Sequence, residues 1–357
     1  MQEIAEKDKN VKIHRNEGPT RLGHRILYDT LVDMATNDIV MIYHADMYAC
    51  PNMDTEVLKH LERGKVVSAT RIEPPLHPDG PEKILHDFGI EPEEFDEEGL
   101  INWLNSGMVT EKEPTKGIFA PWAIYKDDFL AIGGHDPLYA PQSKEDSDIF
   151  NRFVLAGYEL KQTWQGFVYH MTCRGSRFAD GAKRNPNGDV FMKNRETDEW
   201  LKQNQRSTRN FIRKWGHFVK HDELLHPIVP PKYDVGFVVE NCNVNSLREL
   251  EPWCSDIYGD WVGHKGFGVN QYVKEEQPNT DFSLERKIHS DRIKPKNDVV
   301  VEFDASKLNQ SNFQIIANLS EMLQDSGEIG EMEYNIFKFK IKSLNTYEKD
   351  LVVCKTK

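Results

Sequence analysis

The feature that most constrains the fold is an alternation of apolar and amphipathic segments in the first half of the chain. The apolar segment "DIVMIYHAD" (38–46) precedes "NMDTEVLKHLERG" (52–64), whose apolar residues have helical spacing, and then comes the apolar segment "KVVSATRIEPP" (65–75). Strand, helix and strand in this order predict a mainly parallel sheet with crossover helices. The expected fold class is α/β, with a mixed, mainly parallel sheet.

The flanking segments extend this pattern. Residues 11–16 alternate like a short strand, and residues 18–36 begin with turn residues and continue with helical spacing. Further along, the spacing predicts a helix over about 146–156 and a strand that ends near His170. Helices are therefore expected to flank the sheet.

The length of 357 residues predicts about two domains at roughly 150 residues each. A Pro-rich linker, "HPIVPPKYD" (226–234), sets the boundary. We expect a first domain over 1–226, with a helical extension over 190–226, and a small α/β domain over 233–357. In the second domain the pattern predicts two successive β-α-β units, with "QYVKEEQ" (271–277) as the second strand of the first unit. A ferredoxin-like arrangement fits that order.

The composition excludes some classes of partner. A net charge of −13 disfavours nonspecific binding to nucleic acid or anionic membranes, which requires a basic surface. No apolar run reaches the ~20 residues of a membrane span, and the polar start has no signal-peptide core. Five scattered cysteines without a CxxC pair favour a reducing compartment, so a cytoplasmic protein is expected.

Three acidic or histidine-bearing positions stand where chemistry is expected. Asp46 follows an apolar strand, at the sheet edge where open α/β folds bind ligands, and can either hold Mg²⁺ or Mn²⁺ or cap the next turn. His170 follows another apolar strand and can be a metal ligand or a structural histidine. A third group crowds a helix start, where it can cap the helix or supply a general base: Glu145, Asp146 and Asp148.

Together these elements resemble the GT-A glycosyltransferases, specifically the family 2-like group, over roughly residues 11–178. That family has an Asp-x-Asp-type motif at a strand end, where this chain has "HAD" (44–46). A Gly-Gly-Phe-Asp-type stretch is similar to "IGGHDPLY" (132–139), and the family's Glu-Asp helix is similar to "EDSDIFNRFVLAGY" (145–158). The upstream "NEGPTRLGHR" (16–25) is similar to the loop that lines the nucleotide pocket.

The resemblance implies a metal-dependent, inverting transfer of a sugar from a nucleoside-diphosphate sugar to an acceptor hydroxyl, on a carbohydrate or another molecule. Asp46 and His170 would hold Mn²⁺ or Mg²⁺. Asp146 would be the general base, with Asp148 as the alternative base and Glu145 as a ligand of acceptor hydroxyls. The residues implied to bind the nucleotide sugar are Arg21, His44, Arg174 and Arg177.

Two departures from the family pattern leave other functions open. His44 replaces the usual first aspartate, and the family's opening strand-helix-strand does not precede "NVKIHRN" (10–16). If a partner subunit supplies this strand-helix-strand at the edge of the sheet, the protein is an oligomer. The alternative is a catalytically weak or inactive GT-A-like module that binds sugar or a partner. A nucleotidyltransferase ranks last, because no Gly-rich phosphate loop with lysine lies near the start.

Overall fold

The computed structural model describes residues 2–18, 22–107, 112–171, 182–184, 186–188, 190–192, 198–261, 267–289 and 294–354. These residues form two mixed β-sheets with flanking helices and one two-stranded ribbon. The elements up to the ribbon are α1 (Gln2–Lys7), α2 (Gly23–Met34), β1 (Ile39–Ile42), β2 (Met47–Ala49), α3 (Met53–Leu58), β3 (Lys65–Glu73), β4 (Lys83–Leu85), α4 (Glu97–Asn105), β5 (Trp122–Tyr125), α5 (Lys126–Ala131), α6 (Glu145–Leu155), β6 (Glu159–His170), β7 (Ala182–Arg184) and β8 (Val190–Met192).

The later elements begin with a long helix and continue into the second sheet. They are α7 (Asp198–Trp215), β9 (Val235–Glu240), α8 (Val244–Leu250), β10 (Asp256–Gly259), α9 (Phe267–Glu276), α10 (Leu284–Lys287), β11 (Ile288–His289), β12 (Val299–Asp304), α11 (Gln310–Ala317), α12 (Leu319–Ser326), β13 (Gly330–Tyr334) and β14 (Phe337–Ile341).

The first sheet is mixed, as expected, but most of its strand pairs are antiparallel, so the expectation that it is mainly parallel was wrong. Its strand order is β1-β5-β3-β6-β2, with β4 paired to β3. Only β3–β6 and β3–β4 are parallel, whereas the pairs β1–β5, β5–β3 and β6–β2 are antiparallel. The reason is that β5, from much later in the chain, lies between β1 and β3. The strand expected over 11–16 is also absent from the described residues, since this segment has no regular secondary structure and pairs with neither sheet.

The core of this sheet forms where both faces of β3 and β5 are covered. Val67, Trp122 and Ala123 are fully buried, and the apolar sides of α3 and α6 pack against them. A strand buried on both faces has a continuous apolar sequence, as "KVVSATRIE" largely does. The buried charged residues within it, Arg71 and Glu73, are therefore exceptions that need a partner.

The second sheet has the order β11-β10-β9-β12-β14-β13, with parallel pairing from β11 to β12 and antiparallel pairing beyond. The ferredoxin-like prediction was wrong because "QYVKEEQ" lies in the helix α9 and the strand β10 precedes it. Tyr272 is fully buried on one side of α9, while Gln271 bonds Glu275 one turn later at 2.8 Å, which is helical spacing.

Helix α7 contacts both sheets through buried cations. Lys214 lies 2.6 Å from a carboxylate oxygen of Asp148 in α6. Its neighbour Arg213 points the other way and lies 2.6 Å from Glu251, which follows α8 and is fully buried. Removing either carboxylate would leave a buried cation, which is costly, so these pairs help to fix how α7 packs. Among the described residues, no helix is both long enough and apolar enough to cross a membrane.

Candidate functional site

A short turn between β1 and β2 carries Asp46, so this residue does not end a strand as expected. The antiparallel pairing of β2 with β6 sets Met47 opposite His170. The Met171 N–H then donates to the Asp46 carbonyl oxygen at 2.9 Å. Two residues separated by more than 120 positions are thus held side by side by a sheet ladder.

Three side chains converge at this point and form a candidate metal centre. One ligand atom from each of His44, Asp46 and His170 lies within 4.8 Å of the others. The Nε2 of His170 is 3.5 Å from a carboxylate oxygen of Asp46. Two imidazole nitrogens and one carboxylate oxygen suit Mn²⁺, Zn²⁺ or a similar divalent ion. The donor set therefore fits a divalent metal that also carries substrate oxygens.

A second carboxylate orients His170. Its Nδ1 lies 2.8 Å from the Glu73 carboxylate, which is fully buried and also contacts Arg71 at 2.6 Å and Lys83 at 3.3 Å. The Glu73 carboxylate is ionised because its pKa is lowered, so the Nδ1–H of His170 donates to it. The other ring nitrogen, Nε2, faces Asp46. Metal-binding histidines commonly have such a carboxylate behind them. The sequence analysis missed Glu73, although a charged "RIE" inside a buried strand was a usable signal.

The charges in this cluster support one another. Burial acts to raise the pKa of Glu73, but the hydrogen bond from His170 and the charge of Arg71 lower it to about 2. Burial also opposes ionisation of Asp46, and the same histidine holds its pKa below the ordinary value. The His170 pKa is raised, because the two carboxylates outweigh the effect of burial. A metal ion would take the place of the proton on Nε2.

His44 behaves differently from His170. Burial lowers the pKa of His44, although the charges of Asp146 and Asp46 oppose the shift, and a neutral imidazole is the form that binds a metal. The ring of Tyr28, from α2, is stacked on that of His44 with 6.3 Å between centroids. The pKa of Tyr28 is raised by burial and by the charges of Asp146 and its neighbours. Tyr28 was not predicted, and no sequence signal separates it from a core tyrosine.

Helix α6 brings its acidic first turn to the same crevice. The two residues before it, Ser143 and Lys144, have φ values of 79° and 75°, a left-handed conformation that is uncommon for residues other than glycine. The helix that follows this turn places Asp146 where its charge acts on the pKa values of both His44 and Tyr28. The structure thus brings Asp46, His170 and Asp146 to one place.

Glu145, the first residue of α6, is buried rather than open to solvent. It is 6 % exposed, and burial together with the charge of Asp146 raises its pKa to about 8. Its carboxyl group is therefore mostly protonated at neutral pH and can donate a hydrogen bond. That property suits contact with an oxygen of a ligand, as the resemblance implied.

Asp148 does not reach the crevice, and its assignment as an alternative base is corrected. It is fully buried and lies 2.8 Å from Arg152 and 2.6 Å from Lys214, and it accepts a hydrogen bond from Trp215 Nε1 at 2.9 Å. Burial opposes ionisation, but Lys214 and Arg152 hold the Asp148 pKa below its ordinary value. A carboxylate so enclosed cannot accept a proton from a substrate.

The Gly-Gly turn of "IGGHDPLY" positions α6. Arg152 donates to the carbonyl oxygens of Ile132 and Gly134 at 2.8 and 2.6 Å. Gly134 has φ 62°, and a Cβ there would come within 2.4 Å of Asp29 in α2. Glycine is required at this position because the turn and the close approach leave no room for a side chain.

A cavity of about 290 Å³ opens beside Asp146. Phe119 lines it and also meets the ring of His44 at 6.3 Å, so the cavity borders the metal cluster. Asn151 lines it too, is 3 % exposed, and its Nδ2 has no hydrogen-bond partner among the described residues. The rest of its lining is mixed, with apolar residues (Ile118, Phe150, Val219, Leu225 and Pro227) and polar or charged residues (Ser143, Lys144, Glu145, Asp146, Ser147, Lys220 and His221).

Three of the predicted nucleotide-binding residues, Arg21, Arg174 and Arg177, lie outside the described residues.

Comparison with known proteins shows only distant similarity, and that similarity is to solved structures. No protein-family model matches the chain, and no curated protein matches it. Among solved structures, the chain is similar to the crystal structure of GalNAc-T7 with UDP, GalNAc and Mn²⁺, at 15 % sequence identity and a TM-score of 0.37. The match covers 58 % of this chain and 38 % of that one, so this chain spans well under half the length of that protein.

Proposed function

We propose that the protein is a metal-dependent, inverting glycosyltransferase with a GT-A-like first domain of the family 2-like type. Its donor would be a nucleoside-diphosphate sugar, and its acceptor a hydroxyl group on a carbohydrate or another molecule. The observation that supports the proposal is the convergence of three metal-ligating side chains, one acidic residue and a cavity on a single crevice.

The roles follow from the surroundings of each side chain. His44, Asp46 and His170 would hold Mn²⁺ or Mg²⁺, which when bound would neutralise negative charge on the diphosphate leaving group. Glu73 would fix the His170 ring so that Nε2 faces the site.

Asp146 would remove the proton from the acceptor hydroxyl as its oxygen attacks the anomeric carbon. The bond from that carbon to the diphosphate oxygen breaks in the same step, the electron pair leaves with the nucleoside diphosphate, and the configuration inverts. Glu145, protonated at neutral pH, and Asn151 would donate hydrogen bonds to acceptor oxygens in the cavity.

The domain assignments and the remaining contacts belong to the same proposal. Residues 1–226 would form the transferase domain, and residues 233–357 a separate α/β domain. Arg21, Arg174 and Arg177 would contact the nucleotide part of the donor, because guanidinium groups pair well with phosphate oxygens.

Binding of the metal is tested first, without requiring activity. Titration of the protein with Mn²⁺, followed by electron paramagnetic resonance of the free ion, should give one site. Asp46→Ala and His170→Ala should each abolish that site, while Asp127→Asn, at an exposed residue of α5, should retain it. Equal Mn²⁺ binding in all variants would reject the metal centre.

Catalysis is tested with a panel of UDP- and GDP-sugars and simple sugar acceptors. Asp146→Asn should retain Mn²⁺-dependent donor binding and lose turnover, because the amide cannot accept the proton. Retained turnover would reject Asp146 as the base. Failure of every donor to bind, with or without Mn²⁺, would favour the module that binds sugar or a partner and has no transferase activity.

A further inference from the structure

A second cavity lies between α7 and the helices of the second sheet, away from the metal cluster. Its volume is about 420 Å³. One wall is a face of α7, the opposite wall comes from α8, α9 and the turn after α9, and Pro141 closes one end. The residues that line it are Pro141, Glu199, Lys202, Gln203, Gln205, Arg206, Arg209, Arg248, Glu276 and Asn279.

The lining is rich in cations for a chain with a net charge of −13. Four cationic side chains face two carboxylates. One of those carboxylates, Glu276, is already paired, at 2.8 Å with Arg209 and at 2.6 Å with Arg213 behind it. Arg248 is paired with Glu275 at 3.1 Å. The cations that remain are two residues one turn apart on α7, Lys202 and Arg206, and the remaining carboxylate of the lining is Glu199.

These two cations have no carboxylate within salt-bridge distance among the described residues. Arg206 donates one guanidinium N–H to the Ala140 carbonyl oxygen, but its Nε is buried and has no hydrogen-bond partner in the described part of the chain. Burial lowers the Arg206 pKa despite the opposing charge of Asp281. A guanidinium group without a carboxylate partner keeps its full positive charge, and an anionic oxygen in the cavity would pair with that charge.

We propose that this cavity is a binding site for a small ligand that carries a phosphate or carboxylate group, held by Lys202 and Arg206. The guanidinium supplies a fork of donors that matches either anion, and the ammonium adds charge and a second direction of approach. Gln203, Gln205 and Asn279 offer amide donors and acceptors to the neutral part of the ligand, such as sugar hydroxyls.

The position of the site gives the ligand a structural consequence. The loop 140–144 separates this cavity from the one beside Asp146, because Pro141 lines the first, and Ser143 and Lys144 line the second. Gln203 and Ser207 of α7 both donate to the carbonyl oxygen of Gln142 in that loop, at 3.2 and 3.1 Å. A ligand bound at α7 therefore contacts the segment that sets the start of α6. The anion site itself does not depend on the proposed transferase activity.

The test is calorimetric titration of the full chain with inorganic phosphate, glucose 1-phosphate and glucuronate, with methyl glucoside as the neutral comparison. We expect at least one anion to bind with a roughly millimolar or lower Kd, and the preferred probe identifies phosphate or carboxylate as the recognised group. The double variant Lys202→Gln/Arg206→Gln should weaken binding by tenfold or more, since each charged hydrogen bond lost costs about that factor.

The matched control is Lys338→Gln/Lys340→Gln, which removes two cations from the exposed side of β14 and should bind as the native protein does. The single variant Lys202→Gln, at an exposed position, should weaken binding severalfold even if Arg206 is needed for folding. The proposal is overturned if no anion binds, if the double and single variants bind as the control does, or if methyl glucoside binds equally well.

Discussion

Replacing Glu145 with glutamine isolates the effect of one buried carboxyl group on the pH dependence of stability. Glu145 is 6 % exposed, and its pKa is raised from an ordinary 4.5 to about 8, chiefly by burial. The folded protein therefore keeps a proton on this group that the unfolded chain has already lost above pH 4.5. Its effect on stability is most favourable below pH 4.5 and is lost as the pH rises towards 8.

The size of the effect follows from proton linkage. Between the two pKa values the folded state binds about one more proton than the unfolded state, so the free energy of unfolding falls by about 1.4 kcal/mol for each pH unit. From pH 5 to pH 7, Glu145 alone should lower the free energy of unfolding by about 2 to 3 kcal/mol. Glutamine has nearly the same shape, hydrogen-bonds at both terminal atoms and does not ionise.

The assay is urea denaturation of the native protein and of Glu145→Gln at pH 5, 6, 7 and 8, in the absence of divalent metal. The variant should gain stability relative to the native protein by about 2 to 3 kcal/mol between pH 5 and pH 7. The matched control is Glu98→Gln, which removes an exposed carboxylate from the first turn of another helix, α4. A stability difference for Glu145→Gln that stays constant with pH, as expected for the control, would refute the reasoning.

Three further predictions concern other buried groups. Glu73→Gln should weaken Mn²⁺ binding by about 10- to 100-fold, measured by titration, because the carboxylate orients and polarises the His170 ring. Asp148→Ala should lower the free energy of unfolding by about 3 to 5 kcal/mol in urea, because it leaves the fully buried Arg152 without its carboxylate. Asn151→Ala should raise the acceptor KM by about tenfold and leave the donor KM unchanged, because its free N–H lies in the cavity wall.

Each of these predictions has an outcome that contradicts it. Unchanged Mn²⁺ affinity in Glu73→Gln would mean that His170 is not a ligand or needs no orientation. If Asp148→Ala keeps its full stability but loses turnover, Asp148 has a catalytic role rather than a structural one. Equal changes of both KM values in Asn151→Ala would show a general distortion of α6, which a circular dichroism melt would confirm.

Much of the local structure was readable from the sequence. Strand β3 and helix α6 were predicted almost to their ends, and strand β6 was predicted at its C-terminal end, because the pattern of apolar residues shows which sides of an element are buried. The segment "QYVKEEQ" was misread because its alternation over a few residues also fits a strand, and only burial of Tyr272 against the second sheet decides for the helix.

The sequence by itself determined that the chain is α/β and that Asp146 and His170 stand at the ends of elements, whereas Asp46 lies in a turn rather than at the strand end that was expected. Tertiary structure decided which carboxylates are available for chemistry. The sequence does not distinguish the roles of Asp146 and Asp148. In the structure Asp148 is enclosed by Arg152 of α6 and by Lys214 of the later helix α7. Glu73 likewise acquires its place behind the imidazole only through a pairing across 97 positions. Periodicity describes the faces of one element, whereas the ionisation and orientation of a side chain depend on which distant element packs against it.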